Sequence, residues 1–157
     1  LFLPYEADFN ARLRTLLPDS DVRKVLAAIP GKVLLFLDTC HAGNLLGPTR
    51  SREAADFTRV VNELSSAESG VVVFGSASGS QLAQESPAWG HGAFTLALLE
   101  AFAGKAGPAG NVVLRITTIE AYLGRRVKEL TGGLQKPVAR KPDAVQDFPV
   151  AIVVPPR

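Results

Sequence analysis

The segment that most constrains the fold is a continuous apolar run, Val33–Leu37, which ends abruptly at Asp38. The run has the length of a strand and lacks the polar alternation of a half-exposed one, so it predicts a strand covered on both faces. The chain's lone cysteine, Cys40, follows, ahead of the small, turn-prone residues Ala42 and Gly43. The sequence therefore predicts a buried strand that delivers a thiol to a polar edge.

Composition limits the classes of partner. With 157 residues, 46% hydrophobic and 20% charged, the chain has the size and balance of one globular domain. The net charge is only +2, and the basic residues are scattered without interleaved aromatic residues, so a nucleic-acid partner is not expected. No apolar stretch approaches the roughly 20 residues that span a bilayer, so no membrane partner is expected either.

Cysteine content and the first residue bear on cellular context. One cysteine excludes an internal disulfide, so nothing requires an oxidising compartment, and a cytoplasmic location is predicted. The chain begins at Leu1 and contains no methionine, so we expect that residue 1 is not a translation start.

Helical and strand patterns alternate along the chain. The patterns predict helices over 19–29, 53–65, 93–102 and 117–130, strands over 33–37, 71–74, 112–116 and 148–154, and irregular structure over 75–90 and 134–147. Asp19, Ser20 or Asp21 is expected to cap the first helix, and Thr117 or Thr118 the last. The alternation predicts an α/β layered fold with a largely parallel central sheet flanked by helices.

The position of Cys40 suggests a reactive site. In parallel sheets, ligands bind beyond the carboxyl ends of the strands, and Cys40 follows the 33–37 strand at that end. Side chains two apart on a strand face the same way, so Asp38 should lie beside Cys40. A carboxylate raises a thiol pKa, so a more useful role for Asp38 is to hold a cation of the substrate, such as a guanidinium. The alternatives for Cys40 are a small buried apolar residue and a redox sensor.

Residues 37–43, Leu-Asp-Thr-Cys-His-Ala-Gly, resemble the nucleophile motif of caspase-like cysteine peptidases. The motif is most similar to that of metacaspases and bacterial caspase homologues. Residues 1–8 are similar to the segment that follows the family's histidine-bearing strand, and residues 75–85 and 90–100 are similar to its small-subunit region. The resemblance implies a single partial caspase-like domain over 1–157, with a large-subunit-like part over 1–66 and a small-subunit-like part over 67–157.

The resemblance implies that Cys40 is the nucleophile, but its partner is not in this chain. In the family, the cysteine pairs with a histidine roughly 50 residues upstream. The 39 residues before Cys40 contain no histidine. We therefore expect the catalytic histidine and the first strands on a companion chain or an N-terminal fragment, with a regulatory domain as a further possible partner. His41 would point away from Cys40 in an extended chain, and His91 is expected to cap or pack the start of a helix.

The resemblance also implies a substrate class. Metacaspase-like enzymes cleave protein or peptide substrates after arginine or lysine, and the aspartate of their motif helps to form the pocket, which assigns that role to Asp38. Ser76 and Ser78 follow the second strand and are expected to line the same cleft, unless they form an ordinary serine and glycine loop. Proteolytic processing after Arg50 or Arg52 is expected as well.

No metal or other cofactor is expected. One cysteine and two histidines do not have the spacing of a zinc site. Some metacaspases bind calcium, and Glu6 and Asp8 stand near the relevant place, but residues 45–49 lack the further acid. The sequence thus predicts a cysteine endopeptidase that cleaves after basic residues, and the alternative is a catalytically inactive caspase-like interaction module.

Overall fold

The predicted strand Val33–Leu37 is β1, the edge of a three-stranded sheet. A computed structural model describes residues 18–38, 59, 61–65, 70–78, 81–107 and 112–154. β1 pairs in parallel with β2 (Val71–Gly75), and β2 pairs antiparallel with β6 (Val138–Arg140). The order in this sheet is therefore β1-β2-β6, with the fully buried β2 at its centre.

Among the described residues, three helices of eight or more residues and two small ribbons accompany this sheet. The helices are α1 (Asp19–Ala27), α2 (Ala93–Glu100) and α3 (Ile116–Thr131), and a π-helical turn, Ala101–Lys105, extends α2. The ribbons pair β3 (Glu85–Ser86) with β4 (His91–Gly92), and β5 (Val112–Arg115) with β7 (Pro149–Val153). Residues 61–64 are also helical.

The alternation of side chains along β1 and β2 divides the core in two. Val72 and Phe74 face α2, α3 and β5, and Phe36 stacks on Phe74 with ring centroids 5.1 Å apart. Val71 and Val73 face the other way, toward α1 and the helical residues 61–64. Because the side-chain period of a strand is two, positions 38 and 76 continue the first of these faces, the one covered by α2 and α3.

Helix starts differ from the predicted caps, whereas one helix end is confirmed. No side chain caps α1 or α3 from its own N-cap position, and these positions are Pro18 and Arg115. The backbone N–H of Thr117 instead donates to Asp147, 30 residues away in sequence. The C-terminal end of α3 is Gly132, as predicted, with a left-handed φ of 61° that glycine adopts without strain.

The described residues form a mixed α/β structure that is compatible with the predicted class, but the predicted parallel character and two predicted loops differ from what is observed. Among the strand pairings of the described residues, only β1 with β2 is parallel. The segment 134–147, predicted as an irregular loop, contributes β6 and the fully buried Gln135. The segment 75–90 contributes β3. The charged residues and prolines of 134–147 are typical of a loop. The contacts that order this segment are made with residues far away in sequence, so the local pattern did not predict them.

The burial of β1 also differs from expectation. Of its residues, only Leu37 is buried and the other four are half-buried. The reason is the position of β1 at the edge of the sheet, where one side has no neighbouring strand among the residues that the structure describes. Within the same residues, no helix has both the length and the apolar composition needed to cross a bilayer.

Candidate functional site

Several residues singled out from the sequence lie outside the described residues. These are Cys40 and its neighbour His41, residues 1–8 with Glu6 and Asp8, and the processing sites Arg50 and Arg52. Asp38, Ser76, Ser78 and His91 are described. The site can therefore be built from the strand ends that lead to the cysteine.

The carboxyl ends of β1 and β2 meet at one edge of the sheet. The backbone N–H of Ser76 donates to the carbonyl oxygen of Leu37 at 2.9 Å, which continues the parallel ladder by one step. Asp38 and Ser76 thus occupy neighbouring positions at this edge. The structure brings together two of the residues that the sequence predicted for the cleft.

Asp38 is exposed, and its carboxylate is held from the start of α2. The hydroxyl of Thr95 donates to Oδ2 of Asp38 at 2.5 Å. Gly92, the N-cap of α2, lies beside the same oxygen, since a Cβ built on it would stand 3.2 Å from Oδ2. Thr95 was not identified from the sequence as a site residue, because nothing in its local pattern distinguishes it from any threonine in a helix.

Ser76 is fully buried and carries an unsatisfied hydroxyl. Its Oγ has no hydrogen-bond partner among the described residues, although its carbonyl oxygen accepts from Nε2 of Gln135 at 2.7 Å. Buried hydroxyls are nearly always paired, so an unpaired one requires an explanation. At the end of a strand in a candidate cleft, the simplest explanation is a ligand or a neighbouring segment that supplies the partner.

Gln135 links the two sides of the site. Its Oε1 accepts from the backbone N–H of Gln84 at 2.7 Å, and the carbonyl oxygen of Gln84 in turn accepts from the N–H of Ala93 at 2.9 Å. The side chain is completely buried. It therefore connects the end of β2 to the first residue of α2. Only a search for an uncharged polar residue in a charged segment could have indicated Gln135, and that signal is weak.

Ser78 lies shortly after the end of β2, and His91 lies directly before the N-cap of α2. The Ser78 hydroxyl donates to Oε1 of Gln81 at 3.2 Å, so it stabilises the turn that follows β2, in agreement with the ordinary-loop alternative. His91 is exposed on β4 opposite Ser86, directly before Gly92. His91 thus lies at the start of α2, the place at which a capping or packing role was expected.

The acid with the most strongly altered pKa lies away from this edge, at the other end of α2. Glu100 is buried and accepts hydrogen bonds from Arg126 at 2.6 Å and from Lys105 and Tyr122 at 3.0 and 3.1 Å. Hydrogen bonding from Arg126 is the main cause that lowers the pKa of Glu100 from 4.5 to about 2, against the opposing effect of burial. This cluster is saturated with partners and is structural.

The described residues contain no group of three or more histidine, cysteine, aspartate or glutamate side chains that could hold a metal ion. No family model, curated protein or solved structure matches this chain. The site is therefore interpreted from its own residues.

Proposed function

We propose that this chain is the cysteine-bearing part of a caspase-like endopeptidase that cleaves after arginine or lysine. The observation that carries the proposal is the Asp38 carboxylate, fixed at an exposed strand end two residues ahead of the only cysteine. A held carboxylate beside a nucleophile suits a substrate whose cationic side chain adjoins the scissile bond. The resemblance of residues 37–43 to the family's motif supports the same assignment.

In the proposed reaction, the Cys40 thiolate attacks the carbonyl carbon of the basic residue, on the amino-terminal side of the scissile bond. The tetrahedral oxyanion accepts a hydrogen bond from the backbone N–H of Cys40. The C–N bond then breaks, the histidine that took the thiol proton gives it to the leaving amine, and water hydrolyses the acyl-enzyme. Asp38 takes no part in the proton transfers, since its role is to bind the substrate cation.

The histidine is proposed to come from outside the printed sequence. Its two histidines stand at positions 41 and 91, after Cys40. The edge position of β1 supports an additional strand, because four of its five apolar residues remain half-buried in the described sheet. A companion segment that pairs with this edge would cover those side chains and could carry the histidine to the same end of the sheet.

Ser76 is proposed to line the pocket beside Asp38. Its buried Oγ has no partner among the described residues and sits at the neighbouring strand end. A hydroxyl can accept from a guanidinium or an ammonium, and because Ser76 has no exposed surface in this structure, the strand end would have to open for a basic side chain to satisfy it. Ser78 is not included, since its hydroxyl is used by the turn.

The test is a peptidase assay of the intact protein together with any chain that supplies the histidine. Peptides with Arg or Lys before the scissile bond should be cleaved, and peptides with Asp at that position should not. Cys40→Ala should abolish cleavage, and the matched variant His91→Ala should retain it. A preference for Asp would overturn the role of Asp38, and loss of activity in His91→Ala would place the base within this chain. Absence of cleavage of all three peptides would favour the inactive interaction module.

A further inference from the structure

The Asp38 carboxylate has contacts that fix its orientation as well as its position. Thr95 donates to Oδ2, and a Cβ added to Gly92, at the start of α2, would stand 3.2 Å from the same atom. Within the part of the chain that the structure describes, Oδ1 accepts no hydrogen bond. One oxygen is thus held by the helix, and because each carboxylate oxygen can accept more than one hydrogen bond, both oxygens of the exposed Asp38 can still accept from a substrate.

Orientation matters more for one cation than for the other. Guanidinium binds a carboxylate through two parallel N–H···O bonds, so the plane of the carboxylate must match the plane of the side chain. The ammonium of lysine is a compact charge with rotatable donors and accepts a wider range of carboxylate orientations. A carboxylate whose plane is fixed therefore favours arginine over lysine, provided that this plane matches the plane of the bound guanidinium.

We propose that Thr95 is the positioning residue that sets the Asp38 carboxylate for paired hydrogen bonding to a substrate arginine. The inference rests on the proposed function and deepens it by ranking arginine above lysine. Thr95 does not touch the substrate, and it acts through Asp38. The hydroxyl is well suited to this task because Thr95 is anchored in α2, the helix that supplies Ala93, Phe94 and Ala97 to the core.

Gly92 offers an independent way to perturb the same carboxylate. Its φ and ψ are −64° and 152°, ordinary values that alanine adopts without strain. The consequence of adding a Cβ is therefore the contact of 3.2 Å with Oδ2 of Asp38, with the next atoms at 3.8 Å. Alanine here would displace the carboxylate by a few tenths of an ångström and leave the backbone unchanged.

The first test replaces the Thr95 hydroxyl in the intact, active protein. In Thr95→Val, KM for arginine peptides should rise about tenfold, in line with the loss of a hydrogen bond to a charged group, while KM for lysine peptides should rise about twofold or less. The kcat values should change little, since Cys40 is untouched. Thr95→Ser, which keeps the hydroxyl, should restore the wild-type ratio of arginine to lysine KM.

The matched control is Thr117→Val. The Thr117 hydroxyl also donates to an aspartate, Oδ2 of Asp147 at 3.2 Å, and also lies in the first turn of a helix. Thr117 lies at the start of α3, whereas Gln135 follows the other end of the same helix. At a rise of about 1.5 Å per residue, the two ends are about 20 Å apart. Thr117→Val should leave both KM values unchanged.

The second test uses glycine. Gly92→Ala should lower the preference for arginine in the same direction as Thr95→Val, whereas Gly124→Ala, where nothing lies within 4 Å of the added carbon, should not. If wild-type protein cleaves basic peptides but Thr95→Val and Gly92→Ala keep its arginine-to-lysine KM ratio, the positioning role is overturned and the proposed function stands. If wild-type protein cleaves no basic peptide, both are overturned.

Discussion

At the scale of single residues, the candidate site is defined by two polar groups in opposite states. Asp38 is exposed and held by Thr95, whereas the Ser76 hydroxyl is buried and unpaired among the described residues. A buried hydroxyl without a hydrogen bond costs free energy, typically about 1–3 kcal/mol. Retaining such a group is more easily understood as a binding requirement than as a contribution to folding.

Ser76→Ala should therefore separate stability from function. Because the hydroxyl has no partner to lose, we expect its removal to leave the free energy of unfolding unchanged or to raise it by about 1 kcal/mol. If Ser76 lines the pocket, kcat/KM for basic peptides should nevertheless fall. Urea unfolding of the two proteins and a peptidase assay measure the two effects.

The control for this prediction is Thr131→Val. The Thr131 hydroxyl is also buried, but it donates to the carbonyl oxygen of Val127 at 2.8 Å and accepts from the N–H of Gln135 at 3.2 Å. Its loss should destabilise the protein by about 1–3 kcal/mol. A comparable loss in Ser76→Ala would show that the serine hydroxyl has a partner within the folded protein.

At the scale of secondary structure elements, contacts between distant segments hold the site. Gln135 joins the end of β2 to the segment before α2, and Asp147 caps α3 from a point just before β7. Burial raises the pKa of Asp147, but hydrogen bonds from Thr117 and Arg115 outweigh it, so the pKa lies below its usual value. Gln135 and Asp147 thus each form hydrogen bonds with backbone groups that have no partner within their own strand, loop or helix.

Gln135→Met should loosen the link between β2 and α2. Methionine has a similar shape but leaves the Ser76 carbonyl oxygen and the Gln84 N–H without partners, so the free energy of unfolding should fall by about 2–4 kcal/mol. Hydrogen exchange should show faster exchange at the Gln84 amide in particular.

Gln81→Met is the matched control for Gln135→Met. Gln81 accepts from the Ser78 hydroxyl and from the N–H of Lys136, but its side chain is only half-buried, so water can replace those bonds. Gln81→Met should therefore lower the free energy of unfolding by clearly less than Gln135→Met does. Equal losses in the two variants would contradict the bridging role of Gln135.

At the scale of the whole molecule, a buried ionic cluster joins the helices that cover one face of the sheet. Glu100 at the end of α2 accepts from Arg126 on α3, from Tyr122 on the same helix and from Lys105 in the π-helical turn. The pKa of Tyr122 is raised by burial and by its hydrogen bond to Glu100. The cluster fixes α2 against α3, and α2 carries Thr95 to Asp38.

The lowered pKa of Glu100 predicts the acid sensitivity of the fold. Because the pKa falls from 4.5 to about 2 on folding, the charged form is favoured in the folded state. This contribution, about 3 kcal/mol at 1.36 kcal/mol per unit, is complete above pH 4.5 and is lost as the pH falls toward 2. Urea unfolding between pH 2 and pH 7 measures it.

Glu100→Gln should remove most of that pH dependence and destabilise the protein at pH 7, where Arg126 would lose its charged partner. The control is Glu63→Gln, since Glu63 is half-exposed and pairs with Arg59 at 2.9 Å at the surface of a different helical segment. Such surface pairs contribute little, about 0.2–1 kcal/mol. An unchanged acid transition in Glu100→Gln would contradict the assignment to this carboxylate.

Much of the local structure could be predicted because it depends on local patterns. The apolar runs at 33–37 and 71–74 are β1 and β2, the helical spacing after position 116 is α3, and Gly132 ends it. The adjacency of Asp38 and Ser76 followed from the rule that parallel strands end at one edge. The role of Cys40 stays a prediction, as that residue lies outside the described part of the chain.

The missed features share one physical cause. Thr95, Gln135 and Asp147 act through hydrogen bonds to residues between 30 and 59 positions away in sequence. Sequence periodicity reports which face of an element is apolar, so the sequence by itself determined β1, β2 and α3, and it predicts the place of the lone thiol. Which polar side chain meets which backbone group depends on how those elements pack, and only the tertiary structure decides that.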